Sequence, residues 1–250
     1  MEHAAPPSLA EQLAAAQDWW REAGVDCAFA DATTGWLKEP MDEPAPAPVQ
    51  APIPEPLAPA APPAPKIGGD RENWPQTLEA FAEWWLTHPS LDTGGGRPRL
   101  APRGAKGAKL MVLVPEPEPE DAEMLLSGPR GRLLASFLKA AGINESETYV
   151  AAALPRHTPA ADWQGIVAQG FGAVTLHHLA LARPQRLLAF GRDILPLLGH
   201  NPAQSPAALR EINHHEGIIP VLAERSLDFL LARPAARSGF WQRWLDWTGS

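Results

Sequence analysis

Short apolar runs that alternate with helical segments constrain the fold of this chain more than any other feature. The runs are typical of strands buried on both faces and cover residues 110–114, 149–154, 186–191 and 218–223. Helical patterns cover residues 74–87, 130–142, 161–181, 226–234 and 238–247. Because strands that alternate with helices form parallel sheets covered on both faces, residues 66–250 are expected to form a three-layer α/β/α domain. Its central sheet would be four-stranded and mainly parallel, and Pro220 indicates that the last strand lies at an edge.

A proline-rich segment separates this α/β domain from the N-terminus. Residues 40–65 contain 11 prolines, and each proline removes a backbone donor and disfavours helix before it. We therefore expect a disordered Pro/Ala linker of polyproline-II type. Residues 1–39 are expected to form an N-terminal helical segment, in which Ser8 and Glu11 can make a capping box. Such a short helix needs a surface to pack on, either the main domain or a protein partner.

Charge is distributed unevenly between the N-terminal region and the rest of the chain. Residues 1–65 hold 10 acidic and 2 basic side chains, whereas residues 66–250 hold 19 of each. A neutral domain lacks the broad basic surface that drives non-specific DNA binding. The single cysteine, Cys27, excludes an internal disulfide and a four-cysteine metal or iron–sulfur site. We expect no cofactor.

Neither a membrane span nor a secretory signal is visible in the sequence. No stretch approaches the roughly 20 apolar residues that cross a bilayer. The N-terminus has neither a basic region nor an apolar region of the kind that directs secretion. The sequence therefore predicts a cytoplasmic protein without a membrane partner.

Five segments, in order, carry a resemblance to a known family: LMVLVPEPEPED, GPRGRLLASFLKAAGI, TYVAAALPRHTP, RPQRLLAFGRDILPLLG and PVLAERSLDFLLARPAARSGFWQRWL. Together they resemble the uracil-DNA glycosylase superfamily over about residues 109–247, most closely its iron–sulfur-containing family 4 and 5 branch. The resemblance implies a uracil-DNA glycosylase-like fold and enzymes that flip a nucleotide out of the duplex. In such enzymes a water attacks the sugar while the leaving uracil anion is stabilised electrostatically.

The resemblance also implies four site positions, most of which are altered in this chain. The family's GEAPG-like loop aligns with residues 115–119, where Glu116 retains the acidic residue that would position the water. Leu126 stands where the family has the aromatic that stacks on the base, and Ala152 where it has the base-reading asparagine. Ser226 replaces the histidine and can donate one hydrogen bond. The cysteines of the cluster are missing.

These replacements favour a degenerate glycosylase-like protein, inactive or very weak, that acts as an interaction or DNA-repair-associated module. One alternative is an active DNA glycosylase for uracil or another damaged base, with Glu116 positioning the water and Ser226 helping the leaving base. Another is a DNA-damage-binding protein without chemistry. DNA is then a weak or lost partner, and a protein partner would bind through the N-terminal helix or the linker.

The remaining polar and aromatic clusters have simpler interpretations. The acidic run at 116–123 is expected to be a solvated loop, with a divalent-cation site as the alternative. The histidine pairs 177–178 and 214–215 are poor metal motifs, because neighbouring side chains point in different directions, so no metal site is expected. Arg156 and His157 are expected in an exposed loop near the mouth of the site. The ten tryptophans are expected to pack in the core rather than stack on bases.

Overall fold

The computed structural model describes residues 8–22, 67–92, 94–214 and 217–249. Of these, residues 8–22 belong to one unit and the others to a second unit. The predicted Pro/Ala linker at 40–65 lies outside the described residues, as do Cys27, Trp36 and His215.

The first unit contains the predicted N-terminal helix, α1, over Leu9–Glu22. The Ser8 amide donates to the Glu11 carboxylate at 2.7 Å, and the Glu11 amide approaches the Ser8 hydroxyl at 3.4 Å, which confirms the capping box. The hydrogen bond from the Ser8 amide and a second one from the Ser8 hydroxyl, at 2.8 Å, hold the pKa of the Glu11 carboxyl below its usual value. No residue of α1 is buried, and Trp19 and Trp20 are among its exposed side chains.

The second unit is built on a five-stranded sheet rather than the four-stranded sheet that the sequence predicts. Its strands are β1 Leu110–Val114, β2 Thr148–Ala152, β3 Leu187–Phe190, β4 Glu211–His214 and β5 Gly217–Glu224. They lie in the order β2-β1-β3-β5-β4. All neighbours are parallel except β4 and β5, so the prediction of a mainly parallel sheet is confirmed.

The additional strand, β4, changes the interpretation of Pro220. β5 lies inside the sheet, between β3 and β4, so its predicted edge position is wrong. Residues 217–220 of β5 pair with β4, and residues 221–224 pair with β3. Pro220 is the last residue paired with β4, at the point where the partner changes, and a missing N–H is tolerated at such an interruption.

Six helices accompany this sheet among the described residues: α2 Leu78–Thr87, α3 Pro129–Ala140, α4 Trp163–Ala168, α5 Phe171–Ala182, α6 Leu227–Ala232 and α7 Ala235–Thr248. The single helix predicted over 161–181 is two helices, α4 and α5. They are separated at Gly170, whose φ of 90° lies in the left-handed region that glycine enters without strain.

Two apolar cores lie on opposite sides of the sheet, because neighbouring side chains of a strand point to opposite faces. Met111 and Leu113 pack with residues of α2 and α5. Leu110, Val112 and Val114 pack with residues of α3, α6 and α7. Each such side chain stabilises the fold by about 1.5–3 kcal/mol on full burial. The parallel strands therefore end in loops held at a common edge, where α/β proteins bind their ligands.

The tryptophans of the second unit contribute mostly to these cores. Trp74 and Trp85 are buried in the core beside α2 and α5, and Trp244 is buried in the other. Their placement confirms the expected core packing for these three side chains.

His178 is buried in the core. Its ring stacks on Phe81 with 4.2 Å between the ring centroids. Its Nε2 lies 2.8 Å from the hydroxyl of Tyr149. Burial, with a smaller contribution from the charge of His177, lowers the pKa of His178 to about 3. The imidazole is therefore neutral near pH 7 and belongs to the packing of α5 rather than to a metal site.

Candidate functional site

A cavity of about 400 Å³ opens at the carboxyl ends of the parallel strands. Its wall is formed by residues 114–116 after β1, by residues between 158 and 163 after β2, by Asp193 after β3, and by residues 226–228 at the start of α6. The cavity thus brings together the segments that follow β1, β2 and β3 with the start of α6. We call this the strand-end cavity.

Glu116 lies in the wall of the strand-end cavity and is held by its neighbours. Its carboxylate accepts a hydrogen bond from the Thr158 amide. Its Oε1 lies 3.3 Å from Nδ1 of His157, and the same ring nitrogen is 3.2 Å from the carbonyl oxygen of Pro117. The carboxylate is therefore fixed in orientation, at the edge of the space where a ligand would sit.

Ser226 lines the same cavity, but its side chain also has a structural role. It is the N-cap of α6, where its hydroxyl oxygen accepts a hydrogen bond from the Phe229 amide at 3.2 Å. An N-cap contact of this kind typically stabilises a protein by about 1 kcal/mol. The oxygen is thus engaged in capping, while its proton is left to donate.

Leu126 and Ala152, the other two residues expected at the site, do not line this cavity. Both are buried in the core under α3. Ala152 occupies a position of β2 whose side chain points to the face of the sheet rather than past its end. Leu126 has a φ of 59° in the loop before α3 and directs its side chain into the same core. Neither offers a surface to a base, which corrects the expected base-contact positions.

The acidic run after β1 is solvated only in part: Glu120 and Glu123 are exposed, as expected from the sequence, whereas Glu118 and Asp121 are buried. Asp121, only 4% exposed, accepts hydrogen bonds from the amides of Glu118 and Leu126, each at 2.8 Å. It also accepts from the amide and the hydroxyl of Ser127, both at 2.7 Å. The Asp121 carboxylate thus links the beginning of the loop, at Glu118, to its end, at Leu126 and Ser127.

Glu118, 2% exposed, extends this arrangement to the N-terminus of α3. Its carboxylate accepts hydrogen bonds from the amides of Gly128 at 2.8 Å and Arg130 at 2.6 Å, with Gly131 at 3.4 Å. A helix N-terminus favours an anion because its free amides and its dipole both point at it. Since the chain's own carboxylate occupies these donors, the N-terminus of α3 is closed to a phosphate in this conformation.

The sequence analysis did not predict that Glu118 and Asp121 accept backbone hydrogen bonds, because no local motif indicates this role. The partners of Glu118 lie 10 to 13 residues further along the chain. The Gly128-Pro129 start of α3 is the only local signal, because it leaves amides that need an acceptor.

Carboxylates predominate among the charged side chains in the wall of the strand-end cavity. It contains the carboxylates of Glu116, Asp193 and Asp228 and one guanidinium, that of Arg130. Arg130 Nε donates to Asp228 Oδ1 at 2.7 Å, so its charge is already compensated. The sequence did not single out Arg130, Asp193 or Asp228, because they come together from α3, from the segment after β3 and from α6.

Arg156 is not in an exposed loop, which corrects another expectation. It forms an ion pair with the buried Asp92 and donates to the carbonyl oxygen of Arg97 at 2.8 Å. The neighbouring His157 is similarly engaged, with Glu116 and Pro117, and both side chains are largely buried. Arg156 thus joins the segment after β2 to the chain before β1, and His157 joins it to the loop after β1.

Within the described ranges, no group of three or more histidine, cysteine, aspartate or glutamate side chains is placed to hold a metal ion. In the same part of the chain, no helix is both long and apolar enough to cross a bilayer.

Fold and cavity together define an α/β protein with a mainly parallel sheet and an acidic cavity at its strand ends. Neither the models of known protein families nor the curated proteins give a match to this sequence. Membership of the glycosylase superfamily therefore stays a prediction from the sequence resemblance.

Proposed function

We propose that this chain is a degenerate uracil-DNA glycosylase-like protein, inactive or very weak in catalysis, that works as an interaction or DNA-repair-associated module in the cytoplasm. The resemblance over residues 109–247 supports the kinship, and the mainly parallel sheet agrees with it. In this proposal the chain retains the three-layer glycosylase fold, with β4 as an additional strand at one edge, but no longer catalyses base excision efficiently.

The charge of the strand-end cavity is the observation that carries the proposal. Base excision needs donors or positive charge aimed at the leaving anion, and loss of one such donor costs about 10²–10³ in rate. Three carboxylates and one guanidinium line this cavity, and because Arg130 is paired with Asp228, the carboxylates of Glu116 and Asp193 are the negative charge in excess. Such a wall disfavours both a leaving anion and the phosphates on either side of a flipped nucleotide.

A multiple-turnover excision assay tests this proposal. The full chain is incubated with a tenfold excess of single-stranded or double-stranded oligonucleotide containing one uracil, beside an active glycosylase as positive control. We expect no more abasic product than in a reaction without protein. Repeated turnovers would overturn the proposal.

An active glycosylase is the second candidate, and one observation favours it. Glu116 and Ser226, the two polar residues expected at the site, line the same cavity. In this mechanism the Glu116 carboxylate would orient the attacking water, and the Ser226 hydroxyl would donate to the departing base. The substitution Glu116→Gln would then reduce excision by at least about a hundredfold. Glu120→Gln, an exposed neighbour in the same loop, is the matched control and would leave the rate unchanged.

A further inference from the structure

A second cavity, of about 420 Å³, lies between α3 and α7 and is almost entirely apolar. Its floor contains buried side chains of three helices, and its walls include the half-buried Leu133 of α3 and Trp241 of α7. It shares only Leu227 with the strand-end cavity. We call it the α3–α7 groove, defined by Leu133, Phe137, Leu230, Phe240 and Trp241.

Exposed apolar surface continues beyond the groove along α7. Leu245 is 44% exposed and follows Trp241 by one helical turn, so the two side chains lie on the same face. An apolar patch of this kind, rimmed by polar residues, is typical of a protein interaction site.

The rim of the groove is basic. α3 contains no acidic residue, and its Arg132 and Lys139 lie within one turn of the groove-lining Ser136. Within the described ranges, neither of these cations has an acidic partner. Arg237, in the opposite wall, donates hydrogen bonds to the carbonyl oxygens of Leu230 and Leu231. Because these oxygens are neutral, the bonds do not cancel the positive charge of the guanidinium.

We propose that the α3–α7 groove binds an amphipathic helix of a partner protein whose apolar face is flanked by acidic residues. Helices bind in such grooves through apolar side chains spaced at i, i+3 or i+4, and i+7. Acidic positions beside that face would meet Arg132, Lys139 and Arg237, which gives orientation and selects against basic helices. This inference rests on the proposed role as an interaction module and adds the class of partner.

Two designed peptides of about 16 residues test the groove directly. Both carry leucine and phenylalanine on one helical face; one has glutamate at the remaining positions, and the other has lysine. The full chain, labelled with ¹⁵N, is titrated with each peptide while amide chemical shifts are recorded. We expect the acidic peptide to bind at least about tenfold more tightly than the basic one, with shifts concentrated in α3 and α7.

Variants of the chain test whether the peptides bind in the α3–α7 groove. Ser136→Trp fills the groove from an exposed position and is expected to weaken binding of the acidic peptide at least about tenfold. Leu245→Glu is a second variant at the exposed end of the patch, and Leu86→Ser, an exposed leucine of α2, is the control without effect. The pair Arg132→Glu and Lys139→Glu is expected to reverse the preference between the two peptides.

Several outcomes would overturn the groove assignment. These are absence of acidic-peptide binding, equal binding of both peptides, binding that Ser136→Trp and Leu245→Glu leave unchanged, and a self-association that these variants abolish. The inference fails separately from the proposed function. Uracil turnover would refute the proposed role as an interaction module, whether or not the peptides bind. If there is no turnover and the acidic peptide does not bind, only the proposed occupant of this groove is refuted.

Discussion

At the scale of single residues, burial rather than residue type decides what the acidic side chains after β1 do. Glu116 reaches the strand-end cavity, whereas Glu118 and Asp121 are buried and accept backbone hydrogen bonds. The position of Glu116 could be predicted because the resemblance places it in a loop that follows the buried strand β1. The roles of the other two could not, because they depend on how the loop folds back onto α3.

Replacement of Glu118 tests its role at the start of α3. Glu118→Gln is expected to lower the free energy of unfolding by about 1–3 kcal/mol, because a neutral amide bonds the helix amides more weakly and adds donors that face them. Glu120→Gln, at an exposed position of the same loop, is expected to change it by less than about 0.5 kcal/mol. Urea unfolding followed by circular dichroism measures both, and equal effects would contradict the capping role.

His178 should make the stability of the second unit depend on pH. Its pKa is about 3 in the folded chain, below the ordinary value of about 6.5 for the unfolded chain. Between these values the unfolded state binds more protons, so stability present above pH 6.5 is lost as the pH falls. At pH 5 the loss from this residue is about 2 kcal/mol.

Comparison with His178→Gln isolates this effect, because glutamine does not titrate. The difference in unfolding free energy between the two proteins is expected to shrink by about 2 kcal/mol from pH 7.5 to pH 5. Parallel curves would show that His178 is not buried as a neutral ring.

At the scale of elements, the loop before α3 approaches the helix so closely that one position must be glycine. A Cβ at Gly131 would overlap the carbonyl oxygen of Leu126, a backbone atom that cannot turn away. By contrast, a Cβ at Gly239 in α7 would meet only the flexible end of Arg243, at 3.4 Å.

These two glycines provide a matched pair of substitutions. Gly131→Ala is expected to destabilise the protein by at least about 2 kcal/mol, because the loop and α3 must move apart. Gly239→Ala is expected to be neutral or to stabilise by up to about 1 kcal/mol, since alanine favours helix. Thermal unfolding measures both, and a neutral Gly131→Ala would contradict the contact between the loop and α3.

The elements differ in how far the sequence predicts them. β1, β2 and β3 are runs of apolar residues buried on both faces, and that pattern alone predicts strands. β4 has four residues and one apolar side chain, that of the buried Ile212, so no local pattern indicates it. Its pairing with β5 is a tertiary event. Three glycines, Gly165, Gly170 and Gly172, lower the helix propensity of 161–181, but no local pattern indicates that the break between α4 and α5 falls at Gly170.

At the scale of the whole molecule, charge argues against tight binding of DNA. Residues 66–250 carry equal numbers of acidic and basic side chains, and the strand-end cavity is acidic. Non-specific affinity for DNA comes mainly from cations that displace counterions from phosphates.

Gel-shift titrations test this view with mismatched, abasic and single-stranded DNA at about 0.15 M salt. We expect no complex at micromolar protein. A tight complex whose affinity falls steeply with salt would contradict the charge argument and favour a role in binding damaged DNA.

Single-turnover excision is the most direct test of the claim that the chemistry has been lost. With protein in excess over uracil-containing single-stranded and double-stranded DNA, slow product release cannot hide a reaction, so even very weak excision is measurable. We expect the intact chain to give at most a trace of abasic product above a reaction without protein, and Glu116→Gln to give the same amount as the intact chain. Uracil release by the intact chain that Glu116→Gln abolishes would contradict the account.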